Sequence, residues 1–187
     1  MAITINGNGN ITGLSDGGLG LSGADMPAGS VIQVVSVEKT EQSTSSGTSW
    51  ADTGLTASIT PTSNSNKILV MCDWVLGAEN NGYGQIQMVR TISGTDVVIN
   101  KGDASGSRFP GLSSRYYYTS HGSTYHGIHE STQVLDAPST TSAVTYKLQM
   151  RSNTASHDLY FNSNGNDADR DEDPRTASHF NLLEIKV

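Results

Sequence analysis

The run KILVMCDWVL, residues 67–76, constrains this chain more than any other stretch. With the two-residue period of a strand, one face carries Ile68, Val70, Cys72, Trp74 and Leu76. The other carries Leu69, Met71, Asp73 and Val75. A strand with one wet face alternates apolar and polar residues, because successive side chains point to opposite sides. This run is apolar on both sides except at Asp73, which is the pattern of a central strand covered twice. In a small all-β domain the sandwich core covers one side. A neighbouring subunit is the expected cover for the other, which makes Leu69, Met71 and Val75 candidate subunit contacts.

The remaining pattern is also that of short strands. Val31, Gln33, Val35 and Val37 alternate with Ile32, Val34 and Ser36. Residues 40–54 are polar apart from Trp50, and then Leu55, Ala57 and Ile59 alternate with Thr56, Ser58 and Thr60. Residues 61–66 read as a turn into the central strand. Ile86 and Met88 alternate with Gln85 and Gln87, and a turn at Ser93-Gly94-Thr95-Asp96 predicts a hairpin returning through residues 97–99. Residues 101–127 are weakly patterned, and residues 128–135 regain strand character. Val144, Tyr146, Leu148 and Met150 form the cleanest alternation in the chain, against Thr145, Lys147, Gln149 and Arg151. Leu159 with Phe161, and residues 180–187, predict two more strands. No segment sustains a 3.6-residue period, so helices are expected to be minor. The expected fold is an all-β, jelly-roll-like antiparallel β-sandwich with an extended N-terminal arm.

The arm is residues 1–30 and the sandwich residues 31–187. Residues 2–13 hold Ile3, Ile5 and Ile11 around the Asn-Gly pairs at positions 6–7 and 8–9, the chemistry of a short hairpin or an extended arm. Residues 14–30 are glycine-rich with spaced Leu14, Leu19 and Leu21. Such a segment cannot bury enough surface to fold alone. It reads equally as a linker and as a docking arm ordered by a partner.

Composition narrows the function classes. Of 187 residues 35% are apolar, so the core must be thin. A net charge of -7 argues against phosphate-neutralising contacts with nucleic acid and against anionic membranes. No run is long enough for a membrane-crossing helix, and the opening residues lack the pattern of a signal peptide. The one cysteine, Cys72, lies in the central strand and reads as a small buried hydrophobe.

Three clusters are candidates for chemistry. His121, His126 and His129, beside Glu130, are metal-ligand types, but His126 and His129 would face opposite sides of a strand. Asp167, Asp169, Asp171, Glu172 and Asp173 superficially suggest a calcium loop, yet Glu172 stands where an EF-hand needs glycine. No metal site and no cofactor are expected from either. Tyr116, Tyr117, Tyr118 and Tyr125, with Arg115 and Arg108, form the most partner-like group, since tyrosine offers apolar area and a polar tip at small entropic cost. Covering a sandwich edge explains them equally well. Neither a nucleophile elbow nor a phosphate-binding glycine loop occurs, so no enzyme is expected and no catalytic residues are assigned.

The segments AITINGNGNITGLSDGGL, GLTASITPTSNSNKILVMCDW, TTSAVTYKLQMRSN and FNLLEIKV together resemble small structural proteins of marine tailed bacteriophages, of the tail-fibre or virion-appendage kind. Residues 77–129 match that pattern poorly, as a variable binding region would. The resemblance implies a virion component, a jelly-roll homotrimer. Residues 1–30 are the expected anchor on other virion proteins, because an arm without a core gains order only through contacts. A fibre role predicts that the Tyr-rich loop points outward and binds a host surface glycan; a capsid-decoration role predicts passive clamping. A free carbohydrate-binding module is the alternative from another class.

Overall fold

The computed structural model describes residues 4–5, 11–12, 26–78, 83–117, 127–155, 157–165, 169–171 and 173–187. Among them are thirteen strands: β1 (Thr4–Ile5), β2 (Ile11–Thr12), β3 (Val31–Lys39), β4 (Ser43–Ser46), β5 (Ala51–Ile59), β6 (Lys67–Ala78), β7 (Tyr83–Ile92), β8 (Thr95–Ile99), β9 (Ser113–Tyr116), β10 (Gly127–Asp136), β11 (Val144–Ser152), β12 (Asp158–Phe161) and β13 (Ser178–Ile185). No helix occurs among the described residues. The fold is all-β, as the sequence predicts.

Strands β3, β13, β6 and β10 pair in that order, antiparallel throughout. One edge of β6 takes β13 along residues 67–73 and then β12 along residues 76–78, with β4 beyond β12. The second sheet runs β5, β11, β7 and β8, with β9 following β8 along the same edge of β7. Eight principal strands are thus divided between the sheets. The first, eighth, third and sixth lie in one and the second, seventh, fourth and fifth in the other, which is jelly-roll connectivity. The small antiparallel β1–β2 ladder pairs Thr4 with Thr12 and Ile5 with Ile11, in keeping with the first of the two expectations for residues 2–13, a short hairpin or an extended arm.

The core forms where the inward positions meet. From β6 come Ile68, Val70, Cys72, Trp74 and Leu76; from β11 come Val144, Tyr146, Leu148 and Met150; Phe180, Leu182, Ile86 and Met88 fill between them. All are essentially inaccessible to water. Burial pushes the Cys72 thiol up, with the neighbouring Asp73 charge adding to it, so the group stays a neutral small hydrophobe. The β7–β8 turn holds Ser93 and Gly94 at φ 48° and 79°, the paired positive angles of a tight two-residue hairpin.

Two strands lie where no apolar pattern announced them. Strand β4, STSS, has little apolar character, and β9, SSRY, falls in the weakly patterned segment. Both are short, and both are specified by a neighbouring strand that offers a free edge. Strand β10 shows why the sandwich is thin on one side. Its inward positions include Glu130, Thr132 and Asp136, each bonded across the seam: Glu130 accepts from Ser113 and Arg115, Thr132 from Asn100, and Asp136 from Arg90 and Tyr146. A polar seam closes that edge in place of apolar packing.

Candidate functional site

The outer face of the six-stranded sheet carries the second apolar side of β6. Register places Val34, Leu183, Leu69 and Leu135 in one row across β3, β13, β6 and β10. Val34 is 61% exposed, Leu135 51% and Met71 40%. Leu69 is partly exposed. Contiguous apolar surface of this kind marks interaction sites more often than scattered single residues do. A shallow groove of about 450 Å³ runs beside it, bordered by Met71, Asp73, Ser131, Gln133 and Asn181.

Val75 departs from its neighbours. It is only 8% exposed: residues 162–164 cross the end of β6 beside it, and Pro174, Thr176 and Ala177 line the same hollow. The Asn162 amide donates to the Val75 carbonyl at 2.9 Å. Gly77 makes the crossing possible: a Cβ there would lie within 2.5–2.7 Å of backbone atoms of Ser163 and Asn164. Leu69 and Met71 therefore remain available for a partner, whereas Val75 is covered by its own chain and does not serve as a subunit contact.

At the other end of the face the row is ionisable. His179 Nδ1 lies 3.0 Å from Asp73 Oδ2, His179 Nε2 lies 3.7 Å from Glu38, and His129 Nε2 lies 3.6 Å from the same Asp73 oxygen. The hydrogen bond to Asp73, then the charges of Asp73 and Glu38, hold the His179 imidazole above its ordinary value. His179 was not singled out in the sequence, because only strand register brings β3, β13, β6 and β10 side by side. His121 and His126 lie outside the described residues, as do Asp167 and Glu172 of the acidic loop. Asp173, of that loop, is buried and accepts a short hydrogen bond from Asn164 Nδ2.

The tyrosine segment divides. Tyr116 is 44% exposed and its ring packs on Tyr83 with centroids 4.6 Å apart. Arg115 Nε donates to Glu130 at 2.6 Å, at the rim of a cleft of about 280 Å³ that also touches Trp74 and Ser114. Tyr117 points the other way. It is 6% exposed and its hydroxyl donates to the Leu76 carbonyl at 2.7 Å. Strand alternation from the exposed Tyr116 turns Tyr117 inward, so it is a core residue and not part of a recognition surface. Burial, and then the Glu130 charge, push its hydroxyl pKa up, as suits a buried donor that stays protonated. Tyr118 and Tyr125 lie outside the described residues.

A third cluster, absent from the sequence reading, sits outside the five-stranded sheet. Trp50, Phe109 and Arg151 form a triangle. The ring centroids are 5.2 Å apart, and Arg151 Cζ lies 4.6 Å from the Trp50 ring centre and 5.2 Å from that of Phe109. Arg151 Nε donates to Gln85 at 2.7 Å. Phe109 belongs to the β8–β9 connection, so that segment must cross the outside of β7 to reach β11. The available signals were Trp50, the one large apolar residue in a polar stretch, and Arg151, outward on the cleanest strand. Nothing in the sequence pairs them.

No family model matches the sequence, and no curated protein matches it. Among solved structures the chain is similar to the crystal structure of the infectious bursal disease virus VP2 subviral particle, at 11% identity and a TM-score of 0.39. The match covers 83% of this chain and 42% of that one, so the chain spans less than half of that protein's length.

Proposed function

We propose that this protein is a structural component of a bacteriophage particle, a non-catalytic jelly roll that assembles with copies of itself. The observation that carries the reading is the apolar row of Val34, Leu183, Leu69 and Leu135, with Met71 beside it, on a sheet face that faces solvent in the single chain. Burying such a row stabilises an assembly by roughly 25 cal/mol per Å² of apolar surface removed from water. Symmetric homo-oligomers are the common way to cover it. The segmental resemblance to phage tail-fibre-like proteins supports a homotrimer located in the virion. In that arrangement residues 1–30 dock on other virion proteins. Size-exclusion chromatography with light scattering tests the assembly: a trimer is expected, and a chain that stays monomeric at micromolar concentration would remove its basis.

A capsid-decoration role uses the same face and arm without a host contact. A particle reconstruction separates the two by showing whether the protein sits on the head or the tail. Deletion of residues 1–30 should abolish incorporation in either location.

A further inference from the structure

We propose that Arg151, with the rings of Trp50 and Phe109, forms a receptor for a carboxylate-bearing saccharide such as a uronic or sialic acid. The inference goes beyond the assembly reading and does not rest on it, since the cluster lies outside the other sheet.

The guanidinium is held before any ligand arrives. Two aromatic rings flank it at 4.6 and 5.2 Å, and Gln85 takes its Nε. Side-chain entropy that binding would otherwise cost is already lost. Among the described residues no carboxylate pairs with Arg151. Two acids that meet Lys147 on the same sheet are engaged there: Asp52 accepts from Gln149 at 2.7 Å and lies 3.5 Å from Lys147, and Asp96 accepts from Thr91 at 2.6 Å and lies 3.1 Å from Lys147. Among the described residues none accepts from the two terminal amino groups of Arg151, which form a planar fork, the geometry that binds a carboxylate through two parallel hydrogen bonds.

The rings set the remainder of the ligand. Trp50 and Phe109 are partly exposed, and an aromatic wall beside a charged fork suits a pyranose, whose C–H face is apolar and whose acid group projects from the ring edge. The loop is shaped to present this wall: a side chain at Gly111 would collide with the Phe109 ring, so only glycine lets that ring lie where it does.

Calorimetric titration of the full chain with oligogalacturonate and with sialyllactose, against lactose and the methyl ester of the galacturonate oligomer, tests the site. At least one acidic sugar should bind at least 10-fold more tightly than its uncharged counterpart. Arg151→Lys keeps the charge but loses the fork, and should weaken that binding at least 10-fold. The ester comparison uses the unaltered protein, so it decides even if the variant folds poorly. Absence of binding to both acidic sugars overturns the proposal, as does equal affinity for acid and ester. Equal binding by a folded Arg151→Lys protein also overturns it. An acidic peptide that binds as tightly as the sugars would overturn the saccharide assignment.

Discussion

The Tyr117 hydroxyl donates to the Leu76 carbonyl at 2.7 Å, tying the segment after β9 to the greasiest strand of the chain. Both residues are buried, so this is a core bond that happens to use a tyrosine. Tyr117→Phe removes the donor and should cost about 1 kcal/mol of unfolding free energy. Tyr117→Ala removes the ring as well and should cost about 3–5 kcal/mol. Urea denaturation of both variants measures the difference. A Tyr117→Ala stability equal to that of the parent would mean the ring is not in the core.

Gly77 governs whether Val75 is covered. Gly77→Ala drives a methyl group into the backbone of Ser163 and Asn164, neither of which can rotate away as a flexible side chain would. The expected cost is about 1–3 kcal/mol. The Asn162 amide, bonded to Val75 O, should then exchange with solvent faster. Hydrogen exchange at Asn162 reads this directly; unchanged protection would show that the crossing segment adapts.

His179 should titrate above the ordinary imidazole value of about 6.5, chiefly because it bonds Asp73. A raised folded-state pKa stabilises the fold when the ring is charged. That contribution is complete below the unfolded value and is lost as pH rises through the folded one. Stability should therefore decline modestly from pH 6 toward pH 8, the effect being small because the ring is 39% exposed. An NMR titration of the His179 ring checks the direction. Asp73→Asn should return the midpoint toward the ordinary value.

Leu135→Glu tests the apolar row without touching the core. Half of this side chain meets solvent, so the fold should change by less than about 0.5 kcal/mol. Light scattering should show dissociation toward monomer. An unchanged oligomer would place the contact on another surface.

How far the sequence reached follows from which distances matter. Local alternation located β3, β6, β10 and β11 nearly to their ends, because side chains at i and i+2 share a face whatever the topology. Strands β4 and β9 have no such pattern; each forms because a longer strand offers unpaired backbone groups. The candidate surfaces were half legible. Leu69 and Met71 stand on the open face as expected, but Val75 on the same face is covered, and the tyrosine run alternates between surface and core.

The sequence by itself determined that this chain is a thin β-sandwich around a strand with two apolar faces. That much depends only on period and composition. Tertiary structure alone decided what covers each face, because a crossing segment reaches Val75 from residues 162–164, far along the chain. It also decided that Trp50, Phe109 and Arg151 meet and that His179 finds Asp73. Such encounters are set by register and by loops that pass over a sheet. One side-chain pattern is compatible with many such arrangements.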